Sequence, residues 1–451
     1  MMGQPSLSLG DHIRLHLDSL AAGGETVGRH EGLAVFAGGG CPGDDAVVEI
    51  TEVTARFARG VVVEVVTPSP DRVEPPCGHF QDCGGCQWQH ISYPAQLRHK
   101  TAIVRDAVAR LAGLPEVEVA ETWGMENPWH YRNRAEYHAG LDQSGHLVLG
   151  LLRHHTHDVI PVDRCQLQHP LSERVRAATV ALMSRLAQSP AERALLYKLA
   201  TFVSFARGQA IATFVLQGRP EFLASLGRAL KEEVAEVVGV AAARSRGPLV
   251  VHRSPAETVL GKSRLVETLD GYEYHVSADS FFQVNPAQAA RMVSQVQEWA
   301  GLRKGESVID AYCGVGTFLL PLAESGGPAL GIEADESALN DARLNAQLWH
   351  LRNVHLQRGK VETVLSNLVR EDGHCDVLVL DPPRKGCGPI VSVAATRLRP
   401  RRIMLISCHP ATLARDLKAL SEHGYRPRRL QPIDMFPHTW HVETVAVCEP
   451  T

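Results

Sequence analysis

From Asp279 onward the chain alternates short apolar runs with amphipathic stretches, and three of the apolar runs stop at loops whose side chains can do chemistry. Asp310-Ala311-Tyr312-Cys313-Gly314-Val315-Gly316-Thr317 ends the first, Asp381-Pro382-Pro383-Arg384 a later one, and Ser407-Cys408-His409-Pro410 the third. The pattern predicts strands over 307–311, 329–332, 376–380 and 403–407, with helices over 317–323, 336–348 and 411–422. Such an alternation closes as a parallel sheet covered by helices on both faces, and ligands bind beyond the carboxyl ends of its strands. The three loops are therefore expected on one sheet edge. A final pair of strands, 426–434 and 444–448 joined through Pro437, follows. If it includes an antiparallel strand, Glu443 at that strand's start meets Cys408 at a parallel strand's end.

The loops differ in what they can do. Gly314 and Gly316 let backbone N–H groups approach a ligand with no Cβ in the way, and Glu333, ending the next strand, can accept both hydroxyls of a ribose. A third glycine is missing and there is no Gly-Lys-Ser/Thr, so S-adenosylmethionine fits better than a dinucleotide or a triphosphate. The prolines stiffen the second loop and leave Asp381 facing the pocket. Cys408, a thiol where a buried strand stops, is the candidate nucleophile. Residues 395–430 carry nine Arg or Lys against two Asp or Glu. A rim of that sign suits a phosphate-rich substrate and is expected to lower the Cys408 pKa.

The rest of the chain divides in two. At 451 residues with 44% hydrophobic side chains several cores can be buried, and domains of roughly 100–200 residues suggest about three: 1–70, 71–275 and 276–451. The first reads as a small barrel of short strands, near 13–17, 33–36, 45–52 and 59–66, punctuated by glycine turns. Its four Arg or Lys against nine Asp or Glu leave few basic residues for a nucleic acid. Pro68, Pro70, Pro75 and Pro76 form a stiff linker into Cys77, Cys83 and Cys86, with Cys165 far downstream. Zinc ribbons usually carry two C-x2-C pairs. One pair with two lone cysteines suits an iron–sulfur cube better, with structural zinc the runner-up. A helix is predicted over 94–113, packing on the catalytic domain, from Leu97, Thr101, Val104, Val108 and Leu111 at helical spacing with Pro94 first and Gly113 as cap. The span 130–275 mixes strand and helix signals without a single pattern. No apolar stretch reaches 18 residues and the start lacks a secretory pattern, so a cytoplasmic protein with reduced thiols is expected.

Six motifs, in chain order, resemble the RNA (uracil-5)-methyltransferases: Cys77-x5-Cys83-Gly84-Gly85-Cys86-x2-Gln89-His90, Phe281-Phe282-Gln283-Val284-Asn285-Pro286, Asp310-x-Tyr312-Cys313-Gly314-x-Gly316, Asp381-Pro382-Pro383-Arg384-Lys385-Gly386, the segment from Ser407 to Asp416, and His441-Val442-Glu443-Thr444. They span nearly the whole chain. The resemblance implies an α/β protein: a Rossmann-like S-adenosylmethionine-dependent methyltransferase domain, an N-terminal TRAM barrel of the oligonucleotide-binding kind, and a central α+β iron–sulfur domain. It implies that Cys77, Cys83, Cys86 and Cys165 hold a 4Fe-4S cluster, that Cys408 is the nucleophile and Glu443 the base, and that Gln283, Tyr312, Gly314, Gly316, Thr317, Glu333 and Asp381 line the donor site. The subgroup with both a TRAM domain and four cysteines acts largely on 23S ribosomal RNA, so the implied partner is RNA, ribosomal first and transfer RNA as the alternative, with no membrane and the protein a monomer. After the third strand the family often carries an acidic residue near the adenine, where this chain has Gly359-Lys360-Val361-Glu362.

The implied chemistry needs one thiol and one base. Uracil C5 is a poor nucleophile until sulfur adds at C6. A 5-methylcytosine enzyme would also use a cysteine, whereas an amino-methylating enzyme or a non-catalytic RNA-binding iron–sulfur protein would not need Cys408. Cys41, Cys313, Cys375, Cys387 and Cys448 are read as packed thiols, and His438 and His441 as loop histidines. Trp88, Trp129 and Tyr131, with Arg132 and Arg134, are either a stacking platform for bases or core.

Overall fold

The computed structural model describes residues 7–154, 156–248 and 254–451. The first unit is a closed barrel of β1 (His12–Leu20), β2 (Thr26–His30), β3 (Leu33–Gly38), β4 (Asp45–Val53) and β5 (Phe57–Thr67), in the order β1-β2-β3-β5-β4 with β4 returning to β1. In β1 the alternation of Leu15 and Leu17 with Arg14, His16 and Asp18 puts the leucines inside, as a half-buried strand requires. Strand β2 escaped the sequence reading because its inward residue is polar. Thr26 is fully buried and its hydroxyl donates to the Ala37 carbonyl at 2.8 Å.

The cysteine-bearing turns follow, then helix α1 (Tyr93–Ala107), which runs on through a wide turn over Val108–Ala112 to Gly113 at φ 72°. Val104, Ala107, Val108 and Ala112 pack into the core of the catalytic sheet, as expected of this helix. Its buried face also carries Gln96 and Lys100, which apolar spacing does not reveal. The mixed span 130–275 forms β6 (Arg134–Leu141), β7 (Leu147–Leu152), β8 (Val159–Pro161), α2 (Pro170–Leu186), α3 (Pro190–Arg193), β9 (Leu196–Ser204), β10 (Gln209–Leu216), α4 (Leu223–Glu233), β11 (Val237–Arg244) and β12 (Glu257–Gly261). The strands make one sheet, β12-β11-β10-β9-β6-β7-β8, on which α2 and α4 bury Leu171, Val175, Leu182, Leu226 and Leu230. Hairpin β13 (Arg264–Leu269) and β14 (Tyr272–Ser277) stands apart from that sheet. Its Leu265, Leu269, Tyr274 and Val276 lie in a core shared with the catalytic sheet, so the boundary expected at residue 275 falls inside β14.

The catalytic unit contains α5 (Pro286–Ala300), β15 (Val308–Ala311), α6 (Leu319–Ser325), β16 (Ala329–Glu333), α7 (Glu336–Leu348), β17 (Val354–Arg358), α8 (Val361–Arg370), β18 (Val377–Leu380), α9 (Gly388–Arg397), β19 (Arg402–Ser407), α10 (Pro410–Glu422), β20 (Tyr425–Ile433) and β21 (Glu443–Pro450). The sheet order is β17-β16-β15-β18-β19-β21-β20. The first five strands are parallel, and β21 lies antiparallel between β19 and β20. Strand β18 is Val-Leu-Val-Leu with all four residues buried, the continuous apolar run of a strand covered on both faces. Edge strand β17, with His355, Gln357 and Arg358, has no such run, and only the resemblance, which sets a third strand before Gly359, points to it.

Candidate active site

The carboxyl ends of β15, β16, β18 and β19 and the start of β21 lie along one edge, and each brings a predicted side chain to it. Leu380 pairs with Ala311 on one side and Leu405 on the other, which aligns the loops beginning at Tyr312, Asp381 and Cys408. The antiparallel register does the rest. Ser407 pairs with Thr444, so Cys408, one residue further along β19, stands by Glu443, one residue earlier on β21. This inversion meets the expectation drawn from the closing strand pair.

The loop after β15 is strained where it turns. Tyr312 has φ 96°, with Gly314 at 54° and Gly316 at 92°. A side chain at such a φ costs on the order of 1–3 kcal/mol and tends to occur at ligand clamps. The Tyr312 and Cys313 amides both donate to the Ile332 carbonyl at 3.0 Å, and the Thr317 carbonyl accepts the Tyr274 hydroxyl at 3.0 Å. Glu333 accepts the Gly314 amide at 3.0 Å on one oxygen and the Ala334 and Asp335 amides at 2.7 and 2.8 Å on the other. The glycine loop and the acid expected to read a ribose are thus hydrogen-bonded to each other. Gln283 is only 7% exposed although Phe281 beside it is 67% exposed, so the segment is exposed at Phe281 and closed at Gln283. Its backbone carbonyl accepts from Asn133 Nδ2 at 3.0 Å.

Charge at the edge runs against one expectation. Burial, helped by the nearby Glu443 and Asp381 carboxylates, pushes the Cys408 thiol up to about 11, with Arg384 opposing. The basic rim does not lower it, because most of its members are engaged elsewhere. Arg399 pairs with Asp372, Arg401 with Glu306, Arg402 and Arg428 with Glu449, Arg426 with Glu116, and Arg415 with Asp416. Arg384, in the Asp-Pro-Pro-Arg loop, is the cation that acts on the thiol. Burial also raises Asp381 to about 7, and burial together with Asp381 raises Glu443 to about 8. These two carboxyls titrate as a pair. Asp310, at the end of β15, heads the glycine-loop motif but carries no role in the sequence reading. It is fully buried, no side chain among the described residues donates to its carboxylate, and burial with Asp381 and Glu333 raises its pKa well above the usual range, with the Leu319 backbone amide opposing.

The platform reading of the aromatics gives way to core. Trp88 is fully buried, Tyr131 is 2% exposed, and Trp129 stacks on His438 at 3.7 Å. Arg134 donates to the Ala278 and Ser280 carbonyls at 2.8 Å. Cys41, Cys313, Cys375, Cys387 and Cys448 are buried free thiols, as read.

The fold brings the other four cysteines into one another's field. Ionised Cys86 is disfavoured by Cys165, Cys83 and Cys77, and Cys165 by Cys83. Burial is the larger cause, raising Cys86 to about 12 and Cys165 to about 11. The Gly85 amide donates to Cys83 Sγ at 3.4 Å, and the Leu167 and Gln168 amides favour the Cys165 thiolate. Mutually repelling thiolates that accept N–H donors are a donor set suited to a cationic iron–sulfur unit. Among the described residues, no group of three or more His, Cys, Asp or Glu is closed around a position for one metal ion.

Residues 92–449 match the tRNA (uracil-5-)-methyltransferase family and residues 8–63 the TRAM domain. The chain belongs to the tRNA (uracil-5-)-methyltransferase family. Within it, the chain is 36% identical to an uncharacterized RNA methyltransferase of Caldanaerobacter subterraneus subsp. tengcongensis, over 98% of this chain and 99% of that one. It is 33% identical to another, of Halalkalibacterium halodurans, over 99% and 98%. Among solved structures it resembles the Pyrococcus abyssi tRNA (uracil-54, C5)-methyltransferase in complex with S-adenosyl-L-homocysteine, with TM-score 0.73 and 25% identity over 97% of this chain and all of that one. The catalytic sheet is therefore the S-adenosylmethionine-dependent methyltransferase fold of the uracil-5 family, and the N-terminal barrel its TRAM domain. The 5-methylcytosine alternative is left without support.

Proposed function

We propose that the protein transfers a methyl group from S-adenosylmethionine to C5 of a uracil in RNA, with 23S ribosomal RNA the substrate. The observation that carries this reading is the antiparallel β21, which stands Glu443 by Cys408 beside Asp381 and Arg384. Cys408, having lost its proton, forms a bond to C6 and pushes electron density to C5. Gln283, Tyr312, Gly314, Gly316, Thr317, Glu333 and Asp381 would hold S-adenosylmethionine, which would give C5 its electrophilic methyl as the sulfur–methyl bond breaks and S-adenosylhomocysteine is left. Glu443 then removes the C5 proton. The C5–C6 double bond re-forms, the C6–S bond breaks, and Cys408 leaves as thiolate. A carboxyl raised to about 8 is a stronger base than an ordinary glutamate and stays close to neutral pH, where proton transfer is most efficient. Asp381 positions groups and does not attack. The target base leaves its stack to reach the thiol, which costs about a few kcal/mol and is easiest in loops.

Cys77, Cys83, Cys86 and Cys165 hold a 4Fe-4S cluster in this reading, with structural zinc the runner-up; the cluster would tie the turns after the linker to the loop after β8. The pairing of a TRAM domain with four cysteines supports ribosomal RNA. Transfer RNA is the second reading, supported by the full-length likeness to the Pyrococcus abyssi tRNA enzyme. The protein acts as a monomer in the cytoplasm, where RNA and reduced thiols coexist.

The test is methyl transfer from labelled donor to transcripts of 23S ribosomal RNA and of transfer RNA, with digestion to nucleosides. We expect 5-methyluridine in the 23S transcript and none with Cys408→Ala. Label confined to transfer RNA would replace the substrate, and label retained in Cys408→Ala would sink the mechanism.

A further inference from the structure

Nine residues, Asp434 to Val442, join β20 to Glu443, and the first five are gripped from several sides. From α1, Gln96 accepts the His438 amide at 3.0 Å on its oxygen, while its Nε2 meets His438 Nδ1 at 3.2 Å and donates to the Trp88 and Ile91 carbonyls at 3.0 and 2.9 Å. Lys100, one turn on, is wholly buried. It forms an ion pair with Asp434, itself wholly buried, and donates to the Phe436 carbonyl at 3.1 Å. Tyr93, at the start of α1, donates to the other Asp434 oxygen at 2.8 Å. The Gln87 and Trp88 amides, just past Cys86, both donate to the His438 carbonyl, at 3.1 and 3.0 Å. Asn285 donates to the Met435 carbonyl and Gln288 to that of Asp434, each at 3.2 Å. His438 itself is held at φ 65°.

A buried ion pair is weak evidence for stability, since desolvation offsets most of its attraction, and retaining one can instead specify a single conformation. Here what is specified is a loop. With Asp434 to His438 fixed, the few residues that remain before Glu443 cannot redirect β21. We propose that Gln96 and Lys100 of α1 are positioning residues for the base: they hold the 434–438 loop so that Glu443 meets the C5 proton of the methylated adduct. This rests on the reading of Glu443 as the base and goes beyond it, because neither α1 residue touches the reacting atoms.

The chemistry supplies a readout that a merely structural role would not move. Bond formation by Cys408 and methyl uptake precede proton removal, so a misplaced base leaves a methylated RNA–protein adduct whose C6–S bond persists. The experiment uses full-length protein with a substrate RNA and labelled donor, comparing Glu443→Gln, Gln96→Leu and the paired change Lys100→Met with Asp434→Leu, which strands no buried charge. S-adenosylhomocysteine affinity by calorimetry checks that the donor site is intact. We expect all three variants to accumulate a methyl-labelled adduct stable to denaturant, resolved roughly tenfold to a hundredfold more slowly than wild type, the scale of loss when a catalytic group is displaced by about an ångström, with S-adenosylhomocysteine affinity unchanged. The proposal is overturned if the α1 variants resolve the adduct at the wild-type rate, or if adduct formation and donor-product affinity fall together. If Glu443→Gln itself accumulates no adduct, the base is misassigned and the proposal goes with it.

Discussion

Two groups of thiols share a residue type and a degree of burial, and differ in what surrounds them. Cys408 is raised to about 11 by burial and then by two carboxyls, Glu443 and Asp381, with Arg384 opposing. Cys86, raised to about 12, is repelled after burial by other thiols, with Gln89 opposing. Burial raises the carboxyls around Cys408 to about 7 and 8, so each can carry a proton near neutral pH and relieve the charge that opposes the thiolate. Among the described residues no carboxyl acts on Cys86 or Cys83, and Glu173 is the one that acts on Cys165. The ionised forms of the clustered cysteines repel one another until a cation joins them. One arrangement permits a thiolate to come and go; the other makes it permanent once a metal is bound.

The sharpest way to break the contrast is to remove one sulfur from each group. Cys408→Ser should lose methyl transfer by roughly 10⁴-fold or more, the scale for losing a nucleophile, while keeping iron content and colour. Cys86→Ser should lose iron and colour but keep a measurable rate, lowered by roughly tenfold to a hundredfold, because the Gln87 and Trp88 amides next to it hold the loop before Glu443. Paired iron analysis and methyl-transfer rates decide this. If iron loss abolishes transfer as completely as loss of Cys408, the two groups are one functional unit.

A gentler test reads the charges around Cys408 through its alkylation by iodoacetamide in the free protein. The thiolate is the reactive form, so the rate should climb with pH toward about 11. At a fixed pH of about 8, Glu443→Gln removes a negative charge and should speed alkylation by roughly threefold to tenfold, while Arg384→Ala should slow it by a similar factor. Cys83, whose partners are the Gly85 amide and Cys77, and Cys165, whose partners are backbone amides, Glu173 and Cys83, should not respond to either change. Mass-spectrometric quantification at each cysteine separates the two. A Cys408 rate indifferent to both variants would mean that burial alone sets its pKa.

Sequence made the active edge more legible than its support, for a physical reason. Strand ends in a parallel sheet are marked by glycine, proline and cysteine after apolar runs, so Cys408, Asp381 and Glu333 could be placed on one edge from spacing, and Glu443 on the condition that the closing pair held an antiparallel strand, which β21 is. What spacing does not carry is pairing across long separations. Nothing near Lys100 announces Asp434, and a lysine and a glutamine on the inner face of α1 read as interruptions of a stripe until the partner loop is seen. The arginines failed as a rim for the same reason. Eight arginines and a lysine within 395–430 look like a patch, yet Arg401 answers Glu306 and Arg426 answers Glu116. Strand β2 and hairpin β13–β14 were lost to polar inward residues and to a core shared across an expected boundary.

The smallest predicted effect concerns Asp310, where the donor side of the edge pays in stability for charge. Its carboxyl is buried, meets no cationic side chain among the described residues, and is raised well above the usual range by burial and by Asp381 and Glu333, with only the Leu319 backbone amide opposing. In the unfolded chain an aspartate titrates near 3.9. A folded-state pKa above that value means the group favours folding only below its unfolded pKa, and opposes it increasingly as pH rises through the folded one. Asp310→Asn keeps the shape and removes the ionisation. It should therefore raise Tm by roughly 2–5 °C at pH 7–8, with the gain shrinking toward pH 4 as the wild-type carboxyl is protonated in both states. The same substitution should weaken binding of the cationic donor more than that of its uncharged-sulfur product, because a buried carboxylate with no cationic side chain beside it is available to a sulfonium and of no use to a thioether. Scanning calorimetry across pH, with affinities for S-adenosylmethionine and S-adenosylhomocysteine, checks both halves. A Tm gain with no change in the affinity ratio would reduce Asp310 to a structural residue at the end of β15, and no gain at any pH would mean that the Leu319 amide offsets the burial of the carboxyl.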